Sequence, residues 1–365
     1  MTKRVSGREA GRETKRARLG GVVLGAVLLL SMALSACATA ASSVQRPPAA
    51  QGSGAAQTSP TPSPTAGPKP VLPGQTFWKN GASSLLFGTN DPDEYYANNI
   101  ETQPLIQQQM KAAGVSLIRT FIEDHSTDAQ IDQRIATIQN IGAQCLVVIA
   151  SIRDLAYYEH VVSYIGDRCL MYDFGNEPDW NDISVQTYSK AWIEQIPALR
   201  KVNPHALFFG PVVSYPHTDF LQQFLINAKA ANVLPDAISV HWYACYQQTE
   251  SVCQQRASLL YPAILDVRSK VEGALGYDLP IGVDEWNFDP SGPSPSYGNT
   301  TEFVAPFYAT VFAALVKAQV AFACQFDAAS YNGYGDLDMF DVKTNQAKPQ
   351  FVQFAQQIAL YRPAS

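Results

Sequence analysis

The sequence predicts an α/β fold, a single (β/α)8 (TIM) barrel, and its periodicity and length carry that expectation. Short apolar runs alternate with longer amphipathic stretches along residues 75–365. That span, about 290 residues, is large for a sandwich of sheets and ordinary for one barrel. Several runs are continuously hydrophobic, as strands covered on both faces must be.

The strand-like runs are 84–89, 116–122, 145–151, 169–175, 206–212, 237–242, 280–283 and 320–326, eight in all. Helix candidates fall at 102–113, 128–141, 185–202, 219–230, 254–275, 301–318 and 350–360. The clearest is 185–202, where Tyr188, Trp192, Ile196 and Leu199 share one helical face. The spacing leaves no room for a second domain, and no internal repeat is visible.

The N-terminal residues are of another kind. Lys3, Arg4, Arg8, Arg12, Lys15, Arg16 and Arg18 stand against only Glu9 and Glu13, and an apolar run from Leu19 to Leu34 follows. A charged start, a short apolar middle and a small-residue end make a secretory signal. The run is shorter than the roughly 20 residues a membrane-spanning helix needs. Its end, Leu34-Ser35-Ala36-Cys37, resembles a bacterial lipobox. That resemblance implies cleavage before Cys37, a lipid on its sulfur, and a protein held at the outer face of the cytoplasmic membrane by that anchor alone.

Residues 38–74 are rich in Ala, Ser, Thr, Pro and Gln and hold no aromatic residue. Such a stretch buries too little apolar surface to fold and acts as a semi-extended spacer. The expected organisation is therefore a signal over 1–36, lipidated Cys37 and linker over 37–74, and the barrel over 75–365, expected to be monomeric. Losing residues 1–36 removes seven basic and two acidic side chains, which takes the net charge from −6 to −11. That balance excludes nucleic acid as a natural partner, since its binding depends on neutralising phosphates.

Five further cysteines follow: Cys145, Cys169, Cys245, Cys253 and Cys324. In an exported protein they can form disulfides. Cys245 and Cys253 lie in one loop, and Cys145 and Cys169 each open a strand expected to neighbour the other. Cys324 is then left in a buried strand. The five histidines are scattered and no His or Cys group has metal-ligand spacing, so neither metal nor cofactor is expected.

The fourth strand ends in Phe174-Gly175-Asn176-Glu177-Pro178-Asp179-Trp180 and the seventh in Gly282-Val283-Asp284-Glu285-Trp286-Asn287. Barrel active sites lie at the C-terminal strand ends, so two carboxylates there can flank one bond. Glycoside hydrolysis requires such a pair. Asn176-Glu177-Pro178 resembles the acid/base signature of the retaining barrel glycosidases called clan A. Asp284-Glu285-Trp286-Asn287 is similar to its nucleophile strand, in the form seen among α-L-arabinofuranosidases and β-xylosidases. His241-Trp242-Tyr243 and Arg119, in Leu117-Ile118-Arg119-Thr120-Phe121, match further elements in the clan's order.

The resemblance implies a glycoside hydrolase acting on oligo- or polysaccharide by double displacement, with Glu177 as general acid/base and Glu285 as nucleophile. It implies that Glu285, about 5 Å away, keeps Glu177 protonated at rest. Arg119 would hold Glu285 ionised, Tyr243 would donate to it, Asn176 would bind the sugar 2-hydroxyl, and His241 would shape the site. Trp286 and Trp180 are the first candidates for a sugar-stacking platform, followed by Trp242, Tyr246 and Tyr334, at least two of which are expected in the core. Loop 328–341 is long enough to be functional.

Two departures leave the sugar open. The eighth strand ends Gln325-Phe326-Asp327, where many members place a Trp, and no additional β-sandwich is expected after the barrel. Transglycosylation by the same site, and a barrel that binds carbohydrate without turnover, remain alternatives.

Overall fold

Strand and helix signals are local here, and the chain obeys them in order. The computed structural model describes residues 72–92, 100–291, 295–329, 337–341 and 343–364. The signal segment, Cys37 and most of the linker lie outside the described residues. Leu72, inside the expected linker, is buried.

Eight parallel strands alternate with helices: β1 Gly88–Asp91, β2 Leu117–Ile122, β3 Gln144–Ile149, β4 Met171–Phe174, β5 Leu207–Phe209, β6 Ile238–Tyr243, β7 Ile281–Asn287 and β8 Phe322–Gln325. Their order, β5-β4-β3-β2-β1-β8-β7-β6, is that of a barrel, and pairs Phe209–Ala237 and Val213–Val240 join β5 to β6. The helices are α1 Pro104–Ala113, α2 Asp128–Ile141, α3 Leu155–Ile165, α4 Val185–Val202, α5 Thr218–Ala230, α6 Glu250–Arg256, α7 Leu260–Leu275, α8 Thr301–Lys317 and α9 Pro349–Tyr361. A short hairpin pairs β9 Phe340–Asp341 with β10 Gln346–Ala347. Among the described residues no helix is long and apolar enough to cross a membrane.

The caps explain the boundaries. Thr127 accepts from Gln130 N while the Gln130 side chain reaches back to Thr127 N, a capping box that starts α2. Gly142, at φ 84°, ends it in the left-handed region. The sequence reading differs from the structure at three elements. Residues 84–86 form a 3₁₀ turn below β1. The expected helix 254–275 is broken into α6, a 3₁₀ turn and α7. Helix α3 was not predicted, because its aromatic and β-branched residues favour strands. Its buried Tyr158, Val161, Val162 and Ile165 nevertheless keep helical spacing.

Alternation along the strands builds two layers. Outward residues pack with the helices in one large core. Inward residues Leu117, Leu146, Met171, Phe209 and Phe322 fill the lower barrel, closed below by Leu72 and Leu85. Gly282 lacks a side chain because the Phe322 ring occupies that space. Above this plug the inward positions turn polar, which is where the site lies. The sulfurs of Cys145 and Cys169 are joined across neighbouring β3 and β4, those of Cys245 and Cys253 join the β6 loop to α6, and Cys324 is free and buried in β8.

Trp192 anchors α4. It has no exposure, packs edge-on to Phe174 and Phe224, and donates its indole N–H to Val233 O at 2.7 Å. Trp192→Ala is expected to cost about 3–5 kcal/mol in denaturant unfolding; a loss below about 1 kcal/mol, typical of a surface change, contradicts this packing.

Candidate active site

Arg119 follows Leu117 by two residues and so points into the barrel, one layer above the apolar plug. It has no solvent exposure. Its Nε donates to Asp173 Oδ2 at 2.7 Å, one terminal nitrogen donates to Asn90 Oδ1 at 2.9 Å and Glu285 Oε2 at 3.1 Å, and the other donates to Asn176 Oδ1 at 2.8 Å. Burial opposes its charge, but Asp284, Asp173 and Glu285 outweigh that and hold it above its ordinary value. Asp173, Asn90 and Asp284 carried no role in the sequence reading. A polar residue inside a strand covered on both faces was the available signal for Asp173.

Glu285 reaches this layer through a bulge. The β6–β7 register runs Val240–Val283 and then His241–Glu285, so Asp284 is the extra residue. Asp284 and Glu285 consequently both face Arg119, at 3.3 and 3.1 Å. Tyr243 donates its hydroxyl to Glu285 Oε1 at 2.7 Å, leaving each carboxylate oxygen with one donor. Burial and the adjacent Glu285 push the Tyr243 phenol up, so it stays a donor. Asp284 accepts no hydrogen bond on either oxygen. Burial and the neighbouring Asp173 raise it well above the carboxylate range, while Arg119 and His241 pull the other way.

The same bulge corrects the expectation for Trp286. With strict alternation Trp286 would face inward beside Asp284; with one residue added it turns outward. Trp286 has no exposure and packs edge-on to Tyr308 and Phe312 of α8, so it is core and not a sugar platform. Trp242 is also buried, stacked on Phe307. Trp180 and Tyr246 are 74% and 60% exposed at the barrel mouth. Tyr334 lies outside the described residues, as do residues 330–336 of loop 328–341. Where many clan members place a Trp, Phe326 is 8% exposed and Asp327 is buried.

Glu177 follows β4 in the left-handed region, at φ 46°, held by its N–H on Val212 O at 2.9 Å. Non-glycine residues there are strained, and such strain collects at functional sites. His241 Nδ1 lies 2.8 Å from Glu177 Oε1 and 3.6 Å from Glu285 Oε2. One oxygen of each glutamate and one ring nitrogen of His241 lie within 4.8 Å of one another.

The resting proton differs from the sequence expectation. Burial lowers the His241 affinity for a proton, but Glu285, Glu177 and Asp284 outweigh it and raise its pKa from 6.5 to about 9. Burial alone would raise Glu177; the His241 hydrogen bond and charge, with Arg119, bring it below its ordinary value. The shared proton therefore rests on His241, not on Glu177. The repulsion expected from Glu285 is overridden by a cation that the sequence could not place. Among the described residues these three are the one group close enough to share an ion, yet Arg119 and protonated His241 repel a metal cation there.

Because folding raises the His241 pKa, its pairing stabilises the fold fully below about pH 6.5 and is lost as pH rises through about 9. The stability advantage of the native protein over His241→Asn should shrink by about 3 kcal/mol across that window in denaturant titrations. An advantage that stays flat contradicts the paired imidazolium.

The family comparison agrees with this geometry. Residues 168–265 match the family model described as glycosyl hydrolase catalytic core; the span holds Glu177, His241 and Tyr243 and ends before Glu285. No curated protein matches the chain in sequence. The fold is similar to a glucosidase from Croceicoccus marinus, with TM-score 0.60 and 19% identity over 75% of this chain and 68% of that one. It is similar to a family 51 α-L-arabinofuranosidase from Bifidobacterium longum, with TM-score 0.59 and 14% identity over 75% and 72%. It is also similar to a family 128 endo-β-1,3-glucanase from Amycolatopsis mediterranei, in complex with laminaritriose, with TM-score 0.51 and 16% identity over 74% and 98%. The chain is a (β/α)8 barrel, and its residues 168–265 match the glycosyl hydrolase catalytic core.

Proposed function

We propose that this protein is a retaining glycoside hydrolase that cleaves O-glycosidic bonds of extracellular oligo- or polysaccharide, with Glu285 as nucleophile and Glu177 as general acid/base. The observation that carries this reading is the approach of the two carboxylates, with oxygens within 4.8 Å. Retaining enzymes hold their carboxyl groups about 5–5.5 Å apart, whereas inverting enzymes need about 6.5–9.5 Å to admit a water.

Each residue has a task in that reaction. Arg119 and Tyr243 aim Glu285, one donor on each oxygen. Glu285 attacks the anomeric carbon while the bond to the leaving oxygen breaks. A sugar seated over Glu177 excludes water, which raises a carboxyl, so the proton crosses the 2.8 Å contact from His241 to Glu177 and then to the leaving oxygen. Glu177, now ionised, takes a proton from water as that water attacks the glycosyl ester and frees Glu285. Asn176 gives its carbonyl oxygen to Arg119 and keeps its amide N–H groups for the sugar 2-hydroxyl.

The setting belongs to the same proposal. A basic start, an apolar run and Cys37 support export and a lipid anchor, with residues 38–74 as spacer. Two disulfides in the barrel suit an oxidising compartment. A glucosidase, an arabinofuranosidase and an endo-glucanase are among the proteins of similar fold, which supports the reaction class.

Aryl glycosides of xylose, arabinofuranose, glucose, galactose, mannose and glucuronic acid, with polysaccharides alongside, form the test panel. Proton NMR of the first product should show the substrate's own anomer, and Glu285→Gln should lose about 10⁴-fold or more in kcat. An inverted first product contradicts the retaining mechanism; no turnover on any member contradicts the enzyme.

A further inference from the structure

Among the described residues five large aromatic side chains are strongly exposed: Phe77, Trp180, Tyr215, Tyr246 and Tyr277. Phe77 precedes β1 and Tyr277 precedes β7, which places both at the N-terminal end of the barrel, away from the site. The other three follow β4, β5 and β6 in turn, on the C-terminal face. They are 74%, 53% and 60% exposed. Three consecutive loops thus each offer one open ring beside Glu177.

These rings sit on fixed backbone. Glu177 N bonds Val212 O at 2.9 Å and His241 N bonds Val213 O at 2.8 Å, so the ends of β4, β5 and β6 are laced together. Asp179, with a 2% exposed side chain, accepts from Ser214 N and Ser214 Oγ at 2.9 Å each and meets His217 Nδ1 at 3.2 Å. Trp180 and Tyr215 are the immediate neighbours of that link, and the Tyr215 ring stacks on His217 at 4.9 Å. Tyr246 lies between Cys245, bonded to Cys253, and Gln247, whose N–H meets Asp289 Oδ2 at 2.6 Å. Ordered loops that hold aromatic faces to solvent mark a binding surface. The opposite side of the mouth differs: Asn90, Arg119, Gln325 and Asp327, on or beside β1, β2 and β8, are buried polar groups.

We propose that Trp180, Tyr215 and Tyr246 form the leaving-group side of the cleft and bind at least two sugar units beyond the scissile bond, so that the substrate is a glycan chain cut internally. The proposal rests on the glycosidase reading, in which the acid at Glu177 marks the side from which the leaving group departs. Open rings along three loops fit the repeated C–H faces of a chain, whereas the buried polar groups opposite offer no such ring.

Glycosyl fluorides separate the two claims, because fluoride leaves without any sugar on the Glu177 side. β-Glucosyl, β-xylosyl and α-L-arabinofuranosyl fluorides are compared with laminari-, cello-, xylo- and arabino-oligosaccharides of two to six units. For the native protein kcat/KM should rise with chain length. Trp180→Ala, Tyr215→Ala and Tyr246→Ala should each lower it about threefold to tenfold on the longer chains. Fluoride turnover should stay within about twofold, and Trp180→Phe and Tyr215→Phe should restore most of the loss. Equal losses on fluorides and chains, or no loss on chains, overturn the aromatic cleft while leaving the glycosidase intact. If neither fluorides nor chains are turned over by the native protein, the glycosidase reading fails and this proposal falls with it.

Discussion

A guanidinium with no access to water stands at the centre of this barrel, and the arrangement around it follows from that burial. A buried charge is tolerated only when paired and hydrogen-bonded. From β2, Arg119 meets the condition by drawing to itself Asn90 of β1, Asp173 and Asn176 on and just after β4, and Asp284 and Glu285 of β7. The pairing is reciprocal. Without Arg119 the buried carboxylates would repel one another, and loss of one partner from such a cluster typically costs about 3–5 kcal/mol. The same contacts that make the upper barrel foldable therefore set the direction of Glu285.

The bulge in β7 is the second constraint. Ordinary pleating would give Arg119 one inward carboxylate from this strand and turn Glu285 toward the helices. One added residue places Asp284 and Glu285 together and sends Trp286 outward into the α8 core. Two adjacent acids then share one layer with Asp173, and burial beside that neighbour raises Asp284 well above the carboxylate range. On the other side His241 takes up the proton between the two glutamates. Arg119 and His241 thus stand as the cations that counter the carboxylates of this layer.

Much of this was legible in the sequence. Apolar runs mark the eight strands because strand formation is local, and the resemblance to clan A brings Glu177, Glu285, Arg119 and Tyr243 forward as candidates, which the barrel places together. The rest depended on facts that periodicity cannot carry. Trp286 was misplaced because a bulge breaks the two-residue period. Asn90 and Asp173 were missed because each is a single polar residue whose partner lies on another strand. The resting state of Glu177 was misjudged because its sign turns on which neighbour is nearer, and His241 at 2.8 Å decides it. Helix α3 was missed because packing overrode the strand preference of its residues.

The proposed catalysis turns on Glu285 forming a bond to sugar while Arg119 and Tyr243 hold it in place. The most direct measurement is covalent trapping with the 2-deoxy-2-fluoro derivative of whichever glycoside the native protein hydrolyses, followed by peptide mass mapping. One glycosyl group on the peptide containing Glu285, lost on prolonged incubation in water, is the expected result. A label on another residue, or inactivation without any covalent adduct, would contradict it.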